Sequence, residues 1–133
     1  MTKPLDVAVV GAGIVGLAHA YSAIERGHRV TPFERSERAC AASIRNFGMI
    51  WSIGQPAGEW HDIALESRDR WLRLGESAGL WVNACGSIHL AHRQDELAVL
   101  QEFYEQSSAF GFECVWLTAD KVPRRSPAVN PDG

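Results

Sequence analysis

No stretch of the 133-residue sequence approaches the roughly 20 uninterrupted apolar residues of a bilayer-spanning helix, so no membrane span is expected. Cysteine is scarce. Cys40, Cys85 and Cys114 are odd in number and widely spaced, without the C-x-x-C spacing of a zinc or redox site, and are expected to be buried thiols. Excess charge is lacking too: 13 Lys and Arg against 16 Asp and Glu leave a net charge of −3, which disfavours nucleic acid and anionic membranes as partners. Lys3 leads almost directly into the first apolar run, so no signal peptide is expected and the cytoplasm is the default compartment. Internal repeats and low-complexity linkers are missing as well. What remains, 46% hydrophobic and 22% charged residues, is ordinary for a globular protein and disfavours disorder.

The densest signal is Asp6-Val-Ala-Val-Val-Gly-Ala-Gly-Ile-Val-Gly16. The run 7–10 is apolar on both faces, as a parallel strand covered by helices must be. Gly11 permits a sharp turn, Gly13 leaves room for a pyrophosphate against the backbone, and Gly16 lets the following helix pack close to the sheet. The open N–H groups and positive dipole end of that helix attract an anion without a basic side chain. From 14 to 26 the apolar positions Ile14, Leu17, Ala18, Tyr21 and Ile24 recur at mostly helical steps, and Gly27 stands where a helix ends. A second strand over 29–33 ends in Glu34, about 20 residues beyond the turn, where a carboxylate meets ribose hydroxyls. Strand, helix and acid together predict a dinucleotide-binding βαβ unit. Pro32 deletes a ladder donor and predicts a sheet edge or a bulge.

Beyond Glu34-Arg35 the chain is small and polar through 36–43, and Ser43, Arg45 and Asn46 offer donors to phosphate or ribose oxygens. The same composition fits an exposed loop equally well. Residues 52–58 read as a loop and are followed by a helix whose apolar stripe is Trp60, Ile63, Ala64, Ser67, Trp71 and Leu74, its tryptophans in the core. Runs 80–83 and 87–91 flank Gly86 and predict a hairpin; His89 and His92 read as a surface pair. A helix over 95–110 stopped by Gly111, a strand over 114–117 and a helical turn capped by Thr118 complete the reading. Core packing is expected for Trp51 and surface exposure for His61. No side chain is assigned a catalytic role. The tail after Pro123 has no periodic segment, and with a single βαβ half the chain is expected to be an N-terminal fragment.

Three stretches, Val7-Ala-Val-Val-Gly-Ala-Gly-Ile-Val-Gly-Leu-Ala18, Phe33-Glu-Arg35 and Ala42-Ser-Ile-Arg-Asn-Phe-Gly-Met-Ile50, resemble the FAD-dependent D-amino acid oxidase superfamily, which includes glycine and sarcosine oxidases and D-amino acid dehydrogenase. Arg45-Asn-Phe-Gly-Met-Ile-Trp51 with Gly54-Gln-Pro-Ala-Gly58 is most similar to a branch associated with phosphonate catabolism. The resemblance implies an α/β fold with a Rossmann-like FAD-binding unit over 1–50, further helices and a hairpin of the family fold over 51–127, and a truncated tail over 128–133. It implies that Gly11, Ala12, Gly13, Ile14, Val15 and Gly16 face the FAD pyrophosphate, Glu34 the adenosine ribose and Arg35 the adenine. Ser43, Arg45, Asn46, Gly48 and Met49 would then run along the pyrophosphate, ribityl chain and flavin. It further implies hydride transfer from an amine or amino acid to the flavin, hydrolysis of the resulting imine, and an electron acceptor left open. The loop after Glu34-Arg35 has no histidine, so the FAD is expected to be non-covalent, and no metal is expected.

Two other classes share the glycine fingerprint: a nicotinamide-dependent dehydrogenase, and a non-catalytic nucleotide-binding module. Neither Tyr21 nor Tyr104 is followed four residues later by lysine, as a short-chain dehydrogenase requires, and Glu34 repels an NADP 2′-phosphate.

Overall fold

The computed structural model of the chain describes residues 3–131. It is a mixed α/β structure that divides between Met49 and Ile50 into two compact units. In the first, β1 (Asp6–Val10), α1 (Ile14–Glu25) and β2 (Arg29–Phe33) follow one another, and a short 3₁₀ turn covers Ala42–Ile44. The strands pair in parallel, Asp6 opposite Arg29 and Val10 opposite Phe33. Parallel neighbours need a crossover rather than a tight turn, and α1 supplies it, lying against both strands with Ala20 buried.

The ladder starts where Arg29 N–H donates to the Leu5 carbonyl at 2.9 Å and ends where Gly11 N–H donates to the Phe33 carbonyl at 2.7 Å. Alternation along the ladder turns the nitrogen of Pro32 away from β1, so its missing N–H removes no inter-strand bond. Among the described residues β1 is the sole neighbour of β2, and Pro32 accordingly stands on a sheet edge. At the far end of α1, Gly27 adopts φ +80°, and the Gly27 and His28 N–H groups return to Ile24 and Ala23 at 2.8 and 3.0 Å. A left-handed glycine is what lets the chain reverse there.

The second unit contains α2 (Glu59–Ala78), α3 (Gln94–Ser107), a 3₁₀ turn (Ala119–Lys121) and the short α4 (Val122–Arg125). Glu59 and Asp62 lie in the first turn of α2, where they complement its dipole, and Gly79 ends it at φ +65°. The inward stripe of α2 matches the expected one in part. Ala64, Trp71 and Leu74 are half-buried as expected, together with Leu65, Arg68 and Leu72, but the buried positions are His61 and Gly75, whereas Trp60 is 64% and Ile63 51% exposed. Two contacts choose the buried positions. A Cβ on Gly75 would lie 2.9 Å from Val82, so the chain after α2 returns over a position only glycine leaves open. At the other end the His61 ring meets Phe112 at 4.0 Å between centroids, and Phe112 also meets Phe103 at 5.2 Å. Close packing at these two contacts outweighed side-chain size, and His61, expected at the surface, is 3% exposed.

Several other expectations are corrected. Stretches 80–83 and 87–91 form no hairpin, and 114–117 no strand, although Gly86 does take the left-handed turn at φ +75°. An extended run becomes a strand only when a neighbouring edge pairs its N–H and C=O groups, and a two-stranded ribbon alone is marginal. Thr118 precedes the second 3₁₀ turn without capping it; its hydroxyl donates instead to Asp120 Oδ1 at 2.6 Å. Cys40 and Cys85 are exposed and Cys114 half-buried, not core thiols. Trp51 is 49% exposed, its ring stacked on His89 at 6.2 Å. A turn of helix, α4, begins immediately before Pro123, which occupies an early helical position where its missing N–H is harmless.

Candidate functional site

The parallel register makes the site. Because Val10 pairs with Phe33, the glycine turn after β1 and Glu34 after β2 leave the sheet side by side. Glu34 Oε2 accepts from the Ala12 N–H at 2.9 Å and Oε1 from the Ser36 N–H at 3.0 Å. The Ala12 bond first, and the Ser36 bond second, hold the Glu34 carboxyl below the usual carboxylate range. It is an exposed group, ionised at neutral pH, fixed at the mouth of the turn chiefly by backbone donors.

Gly11 turns the chain at φ +99°, a conformation that side chains rarely adopt. Gly16 is required for another reason: a Cβ there would lie 1.8 Å from the Gly11 carbonyl oxygen, so the first turn of α1 rides directly on the loop. The helix opens at Ile14 with Gly13 as N-cap and has no acidic residue in its first turn. Its four leading N–H groups are therefore accountable one by one. Ser43 Oγ accepts from Ile14 N–H at 2.9 Å, and a Cβ on Gly13 would press on that same oxygen at 3.0 Å. Leu17 N–H donates to Gly13 carbonyl at 2.9 Å. The N–H groups of Gly13, Val15 and Gly16 have no partner among the described residues. Three open donors at a helix N-terminus make an anion cradle. A groove of about 570 Å³ continues from it along β1, bordered by Val9, Val10, Gly11, Gly13, Gly16 and His19.

The chain after β2 is held to this cradle by the side chains of Glu34 and, further on, Ser43. Asn46 bonds within the loop, donating to the Ser43 carbonyl at 2.9 Å and accepting from Gly48 N–H at 2.7 Å. Arg35, Arg45 and Met49 are exposed. Thus Gly11 to Gly16, Glu34 and Ser43 are brought together, while Arg35, Arg45 and Met49 border solvent. The pairings Glu34 with Ala12 and Ser43 with Ile14 carry no sequence signal, since they join residues 22 and 29 positions apart. In the second unit no residue of the candidate site was expected; among the described residues no group of His, Cys, Asp or Glu is placed to hold a metal ion.

Strand, glycine turn, helix and terminal acid are consistent with the Rossmann-like start of an FAD-binding protein. The profile of the DAO family, described as FAD dependent oxidoreductase, matches residues 6–133, and the chain belongs to that family. Over 96% of its length it is 29% identical to glycine oxidase of Geobacillus kaustophilus (strain HTA426), covering 36% of that protein. Over 93% it is 25% identical to L-2-hydroxyglutarate dehydrogenase of Escherichia coli (strain K12), covering 31%. A shorter stretch, 34% of the chain, is 47% identical to D-amino acid dehydrogenase of Helicobacter pylori, covering 11%. The chain thus spans about a third of the curated relatives that it matches along its length. No solved structure matches it.

The donor set present fits the phosphate and ribose end of FAD: three open backbone N–H groups for an anion, an ionised carboxylate beside them, and glycines where the backbone must be approached closely. No helix among the described residues is long and apolar enough to cross a membrane.

Proposed function

We propose that residues 3–49 hold the adenosine and pyrophosphate of a non-covalent FAD in an enzyme that oxidises the C–N bond of an amine or amino acid. The observation that carries this reading is the juxtaposition of three open N–H donors, on Gly13, Val15 and Gly16, with the Glu34 carboxylate. The N–H groups bind the pyrophosphate. The exposed Glu34 carboxylate, held by the Ala12 and Ser36 N–H groups, is the acceptor for a ribose hydroxyl. Arg45, exposed, supplies positive charge for the phosphates, and Arg35, exposed, lies beside the adenine. Non-covalent attachment is supported by a loop from 36 to 49 without histidine, in which the Cys40 thiol is turned onto Ser36 Oγ at 3.5 Å. When bound, the flavin supplies a two-electron acceptor for the substrate's hydride, leaving an imine that water hydrolyses.

Glycine oxidase and D-amino acid dehydrogenase among the relatives favour a C–N substrate. The hydroxyglutarate dehydrogenase favours a second reading, a 2-hydroxy acid oxidised at C–O. The cofactor test is a titration of the chain with FAD, read by flavin absorbance and fluorescence. Saturable binding is expected; protein purified with FAD supplied that retains no flavin overturns the proposal. Anaerobic bleaching of bound flavin separates the substrates: glycine or a D-amino acid bleaches it on the first reading, and L-2-hydroxyglutarate alone on the second.

A further inference from the structure

We infer that Asn46 is a positioning residue that makes no contact with the cofactor and acts on the cradle through Ser43. The inference rests on the FAD reading only for its affinity readout. Both ends of the Asn46 amide bond into its own loop. Its Nδ2 donates to the Ser43 carbonyl at 2.9 Å and reaches the Ala42 carbonyl at 3.4 Å, while Oδ1 accepts from Gly48 N–H at 2.7 Å. Two carbonyls on one side and an N–H on the other allow a single orientation of the amide.

These bonds tie both ends of the segment 42–48. The 3₁₀ turn Ala42–Ile44 is fastened to the left-handed Gly48, φ +65°, with Asn46 as the brace. Without it, the turn keeps only the backbone bonds of Ile44 to Ala41 and Arg45 to Ala42, at 3.2 and 3.1 Å. Ser43 lies inside the braced turn, and its Oγ is what occupies Ile14 N–H. A serine hydroxyl rotates freely, so the place of Oγ is set by the backbone that carries it. The chain of cause runs from the Asn46 amide to the 3₁₀ turn, to Ser43 Oγ, to the first N–H of α1. With Ile14 N–H satisfied and Oγ packed against Gly13, the remaining donors keep their direction before any anion arrives. That is preorganisation, and its loss lowers affinity without removing any contact to the ligand.

The test compares Asn46→Ala, Asn46→Asp, Ser43→Ala and the double variant Ser43→Ala/Asn46→Ala in the full 133-residue chain. Amide hydrogen exchange needs no ligand. Asn46→Ala is expected to speed exchange at Gly48 and also at Ile14, each by up to about tenfold, the worth of one net hydrogen bond. Ser43→Ala speeds Ile14 and leaves Gly48 unchanged. Asn46→Asp keeps an acceptor for Gly48 but cannot donate to the Ser43 carbonyl, so it speeds Ile14 more than Gly48, and it keeps the test alive if Asn46→Ala does not fold. For FAD affinity the two single variants are non-additive: the double variant binds no more weakly than Ser43→Ala alone. Unchanged exchange at Ile14 in both Asn46 variants overturns the inference, as does a double variant whose losses multiply, the signature of a direct Asn46 contact. A wild-type chain that binds no FAD overturns the cofactor reading instead and leaves the exchange result to decide on Asn46.

Discussion

Gly16 is the residue where the site tolerates least. A methyl group there would sit 1.8 Å from the Gly11 carbonyl oxygen, backbone against backbone, with no flexible side chain able to yield. Gly16→Ala must therefore lift the first turn of α1 off the loop, at the 1–3 kcal/mol or so of an overpacked contact. The expected outcome is a lower thermal midpoint together with loss of FAD binding; a variant that keeps both would show that α1 has slack. Glu34 behaves differently because its role is electrostatic. Bonds from Ala12 and Ser36 depress its folded pKa, so the contribution is present above the unfolded value of about 4.3 and is lost as pH falls through the lower, folded value. The Ala12 amide resonance is expected to stay constant from neutral pH to about 5 and to shift at more acid pH. Glu34→Gln should abolish that step, and a titration step at the same pH in the variant would assign it to another group.

At the scale of elements, α2 carries the clearest lesson. Trp71 is half-buried but Trp60 is exposed, and the two buried positions are Gly75 and His61, neither of them strongly hydrophobic, where Val82 and Phe112 pack. Trp60→Ser is expected to change stability by no more than about 0.5 kcal/mol, the range of surface substitutions. Gly75→Val, forced against Val82, is expected to cost about 1–3 kcal/mol. Urea unfolding followed by circular dichroism measures both, and the reverse order would restore the tryptophan-facing stripe. The strands teach the converse. β1 and β2 were readable to within a residue because an apolar run stopping at Gly11 and a β-branched pair shortly after Gly27 mark them locally, whereas 80–83, 87–91 and 114–117 had strand-like composition and pair with no strand among the described residues.

At the scale of the whole molecule, the interior is small. Among the described residues the buried apolar side chains are Ala20, Phe112 and Val122, while Val10 is 88%, Trp81 87% and Val15 68% exposed. Apolar surface on β1 and α1 is therefore left facing solvent in this chain, which spans about a third of its long-matching relatives. The cradle is built wholly from residues of the first unit, and the His61, Phe103 and Phe112 cluster wholly from residues of the second.

By itself the sequence determined the parts that depend on local sterics: a strand ending in Gly11, a helix that can start only where Gly13 and Gly16 leave room, an acid at the end of the second strand, and with them membership of an FAD-dependent family. Tertiary structure decided what those parts do to one another. Parallel pairing set Glu34 on Ala12, a braced loop set Ser43 on Ile14, and the contacts of Val82 with Gly75 and of Phe112 with His61 set which positions of α2 are most deeply buried. Such bonds join residues distant along the chain and depend on which backbones come within reach. No periodicity in the sequence records that.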